Sequence, residues 1–346
     1  MPTGKRYVTF GELMLRLSPR SGERILQTSS FEATFGGAEA NVAVSLGGYG
    51  EDVAFVTALP SNPVADAAIG ELRRFGVDTS FIRRSGERIG IYYVEPGAAM
   101  RPSKVVYDRA HSAISEVSSG DFDWEAIFRG AHWFHVTGIT PAIAKSTAEV
   151  TLDALRAARG LGLKISCDLN YRKKLWKWGK DPKEVMPMVA EYVDVLIANE
   201  EDCQKCLGIE LDVDVTSGSL ETSKYRELAS RVMKAFPNVS NLAVSLRESV
   251  SADWNNWSIV MATRDAFYTS RKCEIRDIVD RVGGGDAFGA GLIWGLNNLA
   301  GPQEAVEFAA AASALKHTIY GDYNRMSLDE VVAMASSSDT SGRVQR

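Results

Sequence analysis

Asp280-Arg281-Val282-Gly283-Gly284-Gly285-Asp286-Ala287-Phe288-Gly289-Ala290-Gly291 runs from an apolar, strand-like approach through three consecutive glycines into a helix of small residues. Glycines in a row allow positive φ and bring main-chain N–H groups close to a ligand. A helix opening at that point adds unpaired amides and the positive end of its dipole. The combination suits an anion. Asp286 falls in the first helical turn, where a second negative charge beside a bound anion is unfavourable unless it works as a base, so the arrangement points to phosphoryl transfer to a hydroxyl. The same residues also suit a plain strand-to-helix turn with Asp286 as the helix cap.

The rest of the chain bounds the choice. With 346 residues and 45% hydrophobic content, it is long enough for one large α/β domain with a small appendage. The net charge of -5 and the lack of a Lys/Arg run with interleaved aromatics argue against a nucleic-acid partner. The opening residues lead straight into an apolar strand without a signal-peptide stretch. No apolar run is long enough to span a bilayer, so the protein reads as cytoplasmic with no membrane partner. Four scattered cysteines do not make a disulfide framework. Cys203 and Cys206 form a C-x-x-C without a second pair. His132 and His135, three apart on a strand, point to opposite faces, so neither pair suggests a metal site.

Residues 6–18 read as an opening strand broken at Gly11, and 24–35 as short and β-leaning. Gly36-Gly37-Ala38-Glu39-Ala40-Asn41-Val42-Ala43 is a second glycine turn feeding a helix. A strand at 53–58 and a helix from 62 to 75, stopped by Gly76, close a βα unit. Residues 77–109 carry only short β runs, at 80–84, 89–95 and 104–109. Antiparallel strands inside an alternating chain predict a small sheet projecting as a lid, formed by about 13–35 and 77–112. From 121 the alternation resumes: helices at 121–129, 141–159, 182–191, 199–207 and 221–236, with strands at 131–136, 163–168, 193–197 and 242–247. Two or three strands follow within 256–276, then helices at 286–299 and 303–316. This pattern is that of a doubly wound, mostly parallel sheet flanked by helices, in a single domain over 1–335, with 336–346 as a mobile tail.

Two familiar glycine-loop machines are excluded by spacing. Neither Gly4-Lys5 nor Gly179-Lys180 has the upstream glycine and following hydroxyl of a Walker A loop, and Phe288 occupies the third glycine position of a dinucleotide fingerprint counted from Gly283.

A late glycine turn with an aspartate, an early Gly-Gly turn followed by Asn-Val-Ala, and a β lid between them resemble the ribokinase-like sugar kinases of the PfkB carbohydrate kinase family, over roughly residues 5–335. Within it the chain is most similar to 2-keto-3-deoxygluconate kinases. The motifs that carry this likeness are Gly36-Gly37-Ala38-Glu39, Gly90-Ile91-Tyr92, Tyr107-Asp108-Arg109, Thr137-Gly138-Ile139-Thr140-Pro141, Asp168-Leu169-Asn170-Tyr171-Arg172 and Gly321-Asp322. The D-x-N-x-R segment follows a strand where open α/β sheets bind ligands. Its arginine is a group that a sugar-acid carboxylate needs and a neutral sugar does not.

The resemblance implies a ribokinase-like α/β fold and an ATP-dependent kinase acting on the terminal (C6) hydroxyl of 2-keto-3-deoxygluconate. Asp286 would be the general base, and the amides of Gly283, Gly284 and Gly285 would hold the transferring phosphate. Gly36, Gly37, Asn41, Tyr92, Tyr107, Arg109, Arg172 and Asp322 would meet the sugar acid. Asn199 and Arg247, with Gly283 and Gly285, would lie near ATP, and Asp202 would act indirectly on Mg²⁺; a monovalent cation such as K⁺ is also compatible with the family.

The chain departs from the family pattern at three places. Asn199-Glu200-Glu201-Asp202 ends in the shorter acid. The usual glycines near the nucleotide are replaced by residues 247–257. Arg281 stands where threonine is common, either adding positive potential or pointing to solvent. Other sugar kinases of the same fold, and a sugar-acid-binding regulator without turnover, are the alternative readings. The lid's second apolar face suggests a homodimer or higher homo-oligomer packed through it.

Overall fold

The structure, a computed structural model, describes residues 4–20, 22–199, 201–210 and 222–336. In chain order the elements are β1 (Arg6–Phe10), β2 (Met14–Ser18), β3 (Glu32–Gly36), α1 (Ala38–Gly48), β4 (Asp52–Leu59), α2 (Pro63–Arg74), β5 (Ile82–Arg84), β6 (Gly90–Glu95) and β7 (Lys104–Asp108). After a 3₁₀ turn at Ala113–Glu116 come α3 (Trp124–Ile127), β8 (Ala131–Thr137), α4 (Ile139–Ile143), α5 (Lys145–Gly160), β9 (Lys164–Asp168), α6 (Pro182–Ala190), β10 (Val195–Asn199) and α7 (Asp202–Leu207). The chain closes with α8 (Thr222–Ala235), β11 (Asn241–Ser249), β12 (Asn255–Thr263), β13 (Phe267–Thr269), β14 (Cys273–Ile275), α9 (Gly284–Asn298), α10 (Pro302–Lys316) and α11 (Leu328–Ser336).

The main sheet has the order β13-β12-β11-β10-β9-β8-β1-β4-β5, with β14 also on β12. From β11 to β5 neighbours are parallel; β12 turns antiparallel against β11. Parallel strands buried on both faces send alternate residues to opposite cores. Val8 and Phe10 of β1, with Phe134 and Val136 of β8, pack on one side with α5 and α6. Tyr7 and Trp133 pack on the other with α1, α9 and α10. There α9 and α10 approach backbone to backbone, since a Cβ on Gly291 or Gly295 would lie 2.9 or 2.8 Å from the Cα of Ala309 or Ala305.

The second sheet, β3-β2-β6-β7, is the lid. Two expectations about it are corrected. The run at 80–84 supplies β5, which joins the main sheet parallel to β4 because Ile82 is drawn into the core. Within the lid, β2 and β6 pair in parallel, because β1 delivers β2 directly from the main sheet. The expected helix 121–129 shortens to α3, capped by Asp123, and leaves Trp124 stacked on Phe128. The expected helix 141–159 breaks at Ala144, whose backbone is extended. Ser336 ends α11, and the rest of the expected tail, 337–346, lies outside the described residues.

Candidate active site

The C-terminal ends of β8, β9, β10 and β11 open into a cavity of about 790 Å³ beneath the lid, within the usual range for a small-molecule site. This is the crevice beside the β1–β8 switch point, where strand order reverses.

Its floor is the glycine turn. Gly283, at φ 83°, is the residue before α9, and its backbone touches the next loop so closely that a Cβ would lie 2.0 Å from the Asp322 carbonyl oxygen. Gly285 instead faces open space in the cavity. The Gly284 amide donates to Arg281 O and the Ala287 amide to Gly283 O, so the amides of Gly285 and Asp286 stand at the open first turn of the helix. Gly284 itself packs against the His317 ring rather than the cavity.

Asp286 is not the helix cap; it projects into the cavity and accepts from Asn41 Nδ2 at 2.6 Å. Loss of solvent pushes its carboxyl up to about 6, against the Asn41 hydrogen bond and the charges of Arg172 and Lys316, which favour the ionised form. A carboxylate titrating near neutrality at the mouth of an anion turn is suited to take a hydroxyl proton.

One wall comes from the two glycine turns and the lid. Gly37 sits so close to the Glu12 carbonyl that a Cβ would be 1.9 Å away, and its amide donates to Asn41 Oδ1 at 3.3 Å. Tyr92 and Tyr107 lie across the lid sheet with ring centroids 6.2 Å apart, and the Tyr92 hydroxyl donates to Asp322 Oδ2. The second Asp322 oxygen accepts from Arg16, fully buried, at 2.7 Å, and Arg16 reaches Asp280 at 2.6 Å. Arg16 thus ties lid, turn and Asp322 together.

Arg172 enters from the loop after β9. Exposed, it lines the cavity and lends its positive charge to Asp168, Asp202 and Asp286. Burial, with Asp202 and Asp286 nearby, pushes the Asp168 carboxyl well above its usual range. The remaining wall holds Asn199, Ser245, Arg247, Ser249, Trp257 and Arg281. Arg281 faces this side and donates to the Ser251 and Ala252 carbonyls, while the Trp257 indole N–H finds no partner among the described residues.

Gly37, Asn41, Tyr92, Tyr107, Arg172, Asn199, Asp202, Arg247, Gly283, Gly285, Asp286 and Asp322 therefore share one cavity. Three expected residues do not line it. Gly36 lies behind Asp322, whose carboxylate leaves no room for a Cβ; Gly284 packs on His317; and the Arg109 guanidinium is drawn onto the buried Glu12 carboxylate, which Ser112 also bonds at 2.7 Å. The two Asp202 oxygens accept the Tyr171 and Asn199 amides at 3.1 and 3.0 Å, which fixes the carboxylate at the edge of the cavity. Among the described residues no group of three or more His, Cys, Asp or Glu is set to hold a metal. The cysteines are buried and free, and His132 is exposed while His135 is buried, as their spacing implies.

Comparison with known proteins bears directly on this geometry. Residues 5–328 match the pfkB family of carbohydrate kinases. The chain belongs to that family. It is 34% identical to a 2-dehydro-3-deoxygalactonokinase of Haloferax volcanii over 96% of this chain and 97% of that one. It is 25% identical to a 2-dehydro-3-deoxygluconokinase of Bacillus subtilis over 94% of each. Among solved structures, a 2-dehydro-3-deoxygluconokinase from Thermotoga maritima superposes with a TM-score of 0.91 at 50% identity, covering 96% of this chain and all of that one. The fold is accordingly ribokinase-like.

Proposed function

We propose that this PfkB kinase transfers the γ-phosphoryl group of Mg·ATP to the terminal C6 hydroxyl of 2-keto-3-deoxygluconate, also called 2-dehydro-3-deoxygluconate. The observation that carries the reading is Asp286 at the open end of α9 with Arg172 across the same cavity. Arg172 supplies a guanidinium for the substrate carboxylate, and Tyr92, Tyr107, Asp322 and Gly37 border the sugar chain. Asp286 takes the hydroxyl proton as the oxygen attacks phosphorus. The Gly285 and Asp286 amides receive the charge of the transferring group, and ADP leaves toward Arg247, Arg281 and Trp257. Mg²⁺ arrives on the nucleotide phosphates with its own waters, which asks for few protein ligands. Chemistry on ATP and a soluble sugar acid suits a cytoplasmic enzyme.

A second reading has the C4 epimer, 2-keto-3-deoxygalactonate, as substrate, favoured by the Haloferax volcanii relative. An ADP-release assay with both epimers, fructose and ribose decides among them. Turnover of a neutral sugar with the higher kcat/KM overturns the sugar-acid reading, and no ADP release with any of them leaves a binding protein.

The outer lid face, where Leu15, Leu17, Ile91 and Tyr93 alternate with the inward residues and Val106 is 54% exposed, fits a second copy of the lid. Sedimentation equilibrium of wild type and Val106→Glu tests that dimer, which the substitution should weaken.

A further inference from the structure

Lys316, the last residue of α10, has no exposed surface. Its ammonium donates to two main-chain carbonyls, Asp280 O at 3.2 Å and Ile319 O at 3.4 Å. A buried lysine ordinarily pairs with a carboxylate, since an unpaired charge in the interior is costly. Here, among the described residues, the nearby carboxylates are occupied by others. Asp280 accepts from Arg16 and from the Val282 and Gly321 amides, and Asp322 accepts from Arg16 and Tyr92. A compact positive charge held by carbonyl oxygens is the environment of a dehydrated monovalent cation.

The two carbonyls belong to the two segments that build the anion turn. Asp280 opens the segment leading to Gly283 and Asp286, and Ile319 opens the one leading to Asp322. The segments touch where Gly283 meets the Asp322 carbonyl. The His317 carbonyl, next along from Lys316, accepts the Val279 and Asp280 amides, which closes the connection. Burial pulls the ammonium below its ordinary pKa, and the fields of Asp280, Asp322 and Asp286 oppose that loss of charge.

We propose that the Lys316 ammonium is a built-in monovalent cation for the anion turn, a positioning residue that holds the Asp280 and Ile319 carbonyls in register so that turnover needs no K⁺ or Na⁺ from solution. The proposal rests on reading the turn as the phosphoryl-transfer site.

The test uses the full chain in buffers whose monovalent cation is tetramethylammonium, too large for the space, or else K⁺ or NH₄⁺. Wild type should turn over equally in all three. Lys316→Ala should lose about 10- to 150-fold in kcat in tetramethylammonium, the worth of a charge-assisted hydrogen bond, and recover at least about tenfold in K⁺ or NH₄⁺. Lys316→Met, which fills the space, should lose as much without recovery. The melting temperature of Lys316→Ala should rise with NH₄⁺ and not with tetramethylammonium, a readout that needs no turnover. Calorimetric affinity for Mg·AMP-PNP should follow the same pattern, so the cation response is read even if neither sugar acid proves to be the substrate. Activation of wild type by K⁺, full activity of Lys316→Ala in tetramethylammonium, or a loss in Lys316→Ala that no small cation restores would each overturn the proposal. If Lys316→Ala does not fold, Lys316→Gln takes its place, and a kcat for it matching wild type in every salt overturns the proposal equally.

Discussion

The side-chain amide of Asn41 donates to Asp286 Oδ2 at 2.6 Å, joining the helix after the early glycine turn to the helix after the late one. The bond favours the ionised carboxylate, while burial opposes it and lifts its pKa to about 6. The carboxylate is the form that accepts a proton, so kcat/KM should fall about tenfold per pH unit below pH 6 and level off above it. Asn41→Ala removes a contact that holds the pKa down, so the acid limb should move up by about one unit. A pH–rate profile in which the limb does not move would make the contact a packing detail.

Asp286→Asn keeps the shape and removes the proton acceptor. Turnover should drop by roughly 10²–10⁴, with ATP binding retained and the acid limb gone. Steady-state kinetics beside calorimetric ATP titration check it, and a kcat within about threefold of wild type refutes the role.

The glycines of the turn should fail differently when replaced. Gly283→Ala places a Cβ 2.0 Å from the Asp322 carbonyl oxygen at a positive φ, so it should lower the melting temperature as well as activity. Gly285 meets nothing within 4 Å, and Gly285→Val should leave the melting temperature near wild type while its side chain obstructs the phosphate. Thermal denaturation alongside kcat separates the two, and unchanged kinetics in folded Gly285→Val would remove the anion role from the turn.

Arg16→Met leaves the buried Asp280 and Asp322 carboxylates without their cation. Breaking a buried pair from one side costs about 3–5 kcal/mol, so urea denaturation should show a loss of that order. A loss below about 1 kcal/mol would mean that the two carboxylates find other partners.

Arg16 also shows where reading the sequence stops. In Met14-Leu15-Arg16-Leu17-Ser18 the leucines suggest that theirs is the buried face, yet Met14, Arg16 and Ser18 point inward and the leucines are half-exposed. The partners that make this tolerable, Asp280 and Asp322, lie 264 and 306 residues away. The βα alternation and the two glycine turns were legible because each is a local pattern. The lid is legible as a break in alternation, but strand partners are not local, so the run that forms β5 reads as part of the lid although it pairs with β4 in the main sheet. Arg109 carries the right chemistry for a carboxylate and lies on the expected strand margin. Only the fold reveals Glu12 beside it. Lys316, inside an apolar helix pattern, gave no signal of the carbonyls that receive it.

Arg172 is the residue on which the substrate assignment turns. It is exposed, it lines the cavity, and among the described residues its guanidinium donates to the neighbouring Tyr171 carbonyl at 3.1 Å, which leaves most of its donors facing the cavity side. A charge-assisted hydrogen bond contributes about 1.5–3 kcal/mol, and Arg172→Ala should lower kcat/KM for the sugar acid by roughly 10- to 150-fold. The charge has a second effect that must be separated from recognition: it favours the ionised forms of Asp286, Asp168 and Asp202, and its removal raises the Asp286 pKa further. That indirect loss disappears once the pH is well above the raised pKa, where Asp286 is ionised with or without the arginine. Measured at about two pH units above the wild-type acid limb, the remaining loss reports the carboxylate contact alone. An analogue with a hydroxymethyl group in place of the carboxylate should then be turned over equally slowly by wild type and variant. Equal losses for acid and neutral analogue at that pH would assign Arg172 to the phosphates or to the shape of the pocket, and the sugar-acid assignment would lose its main physical support.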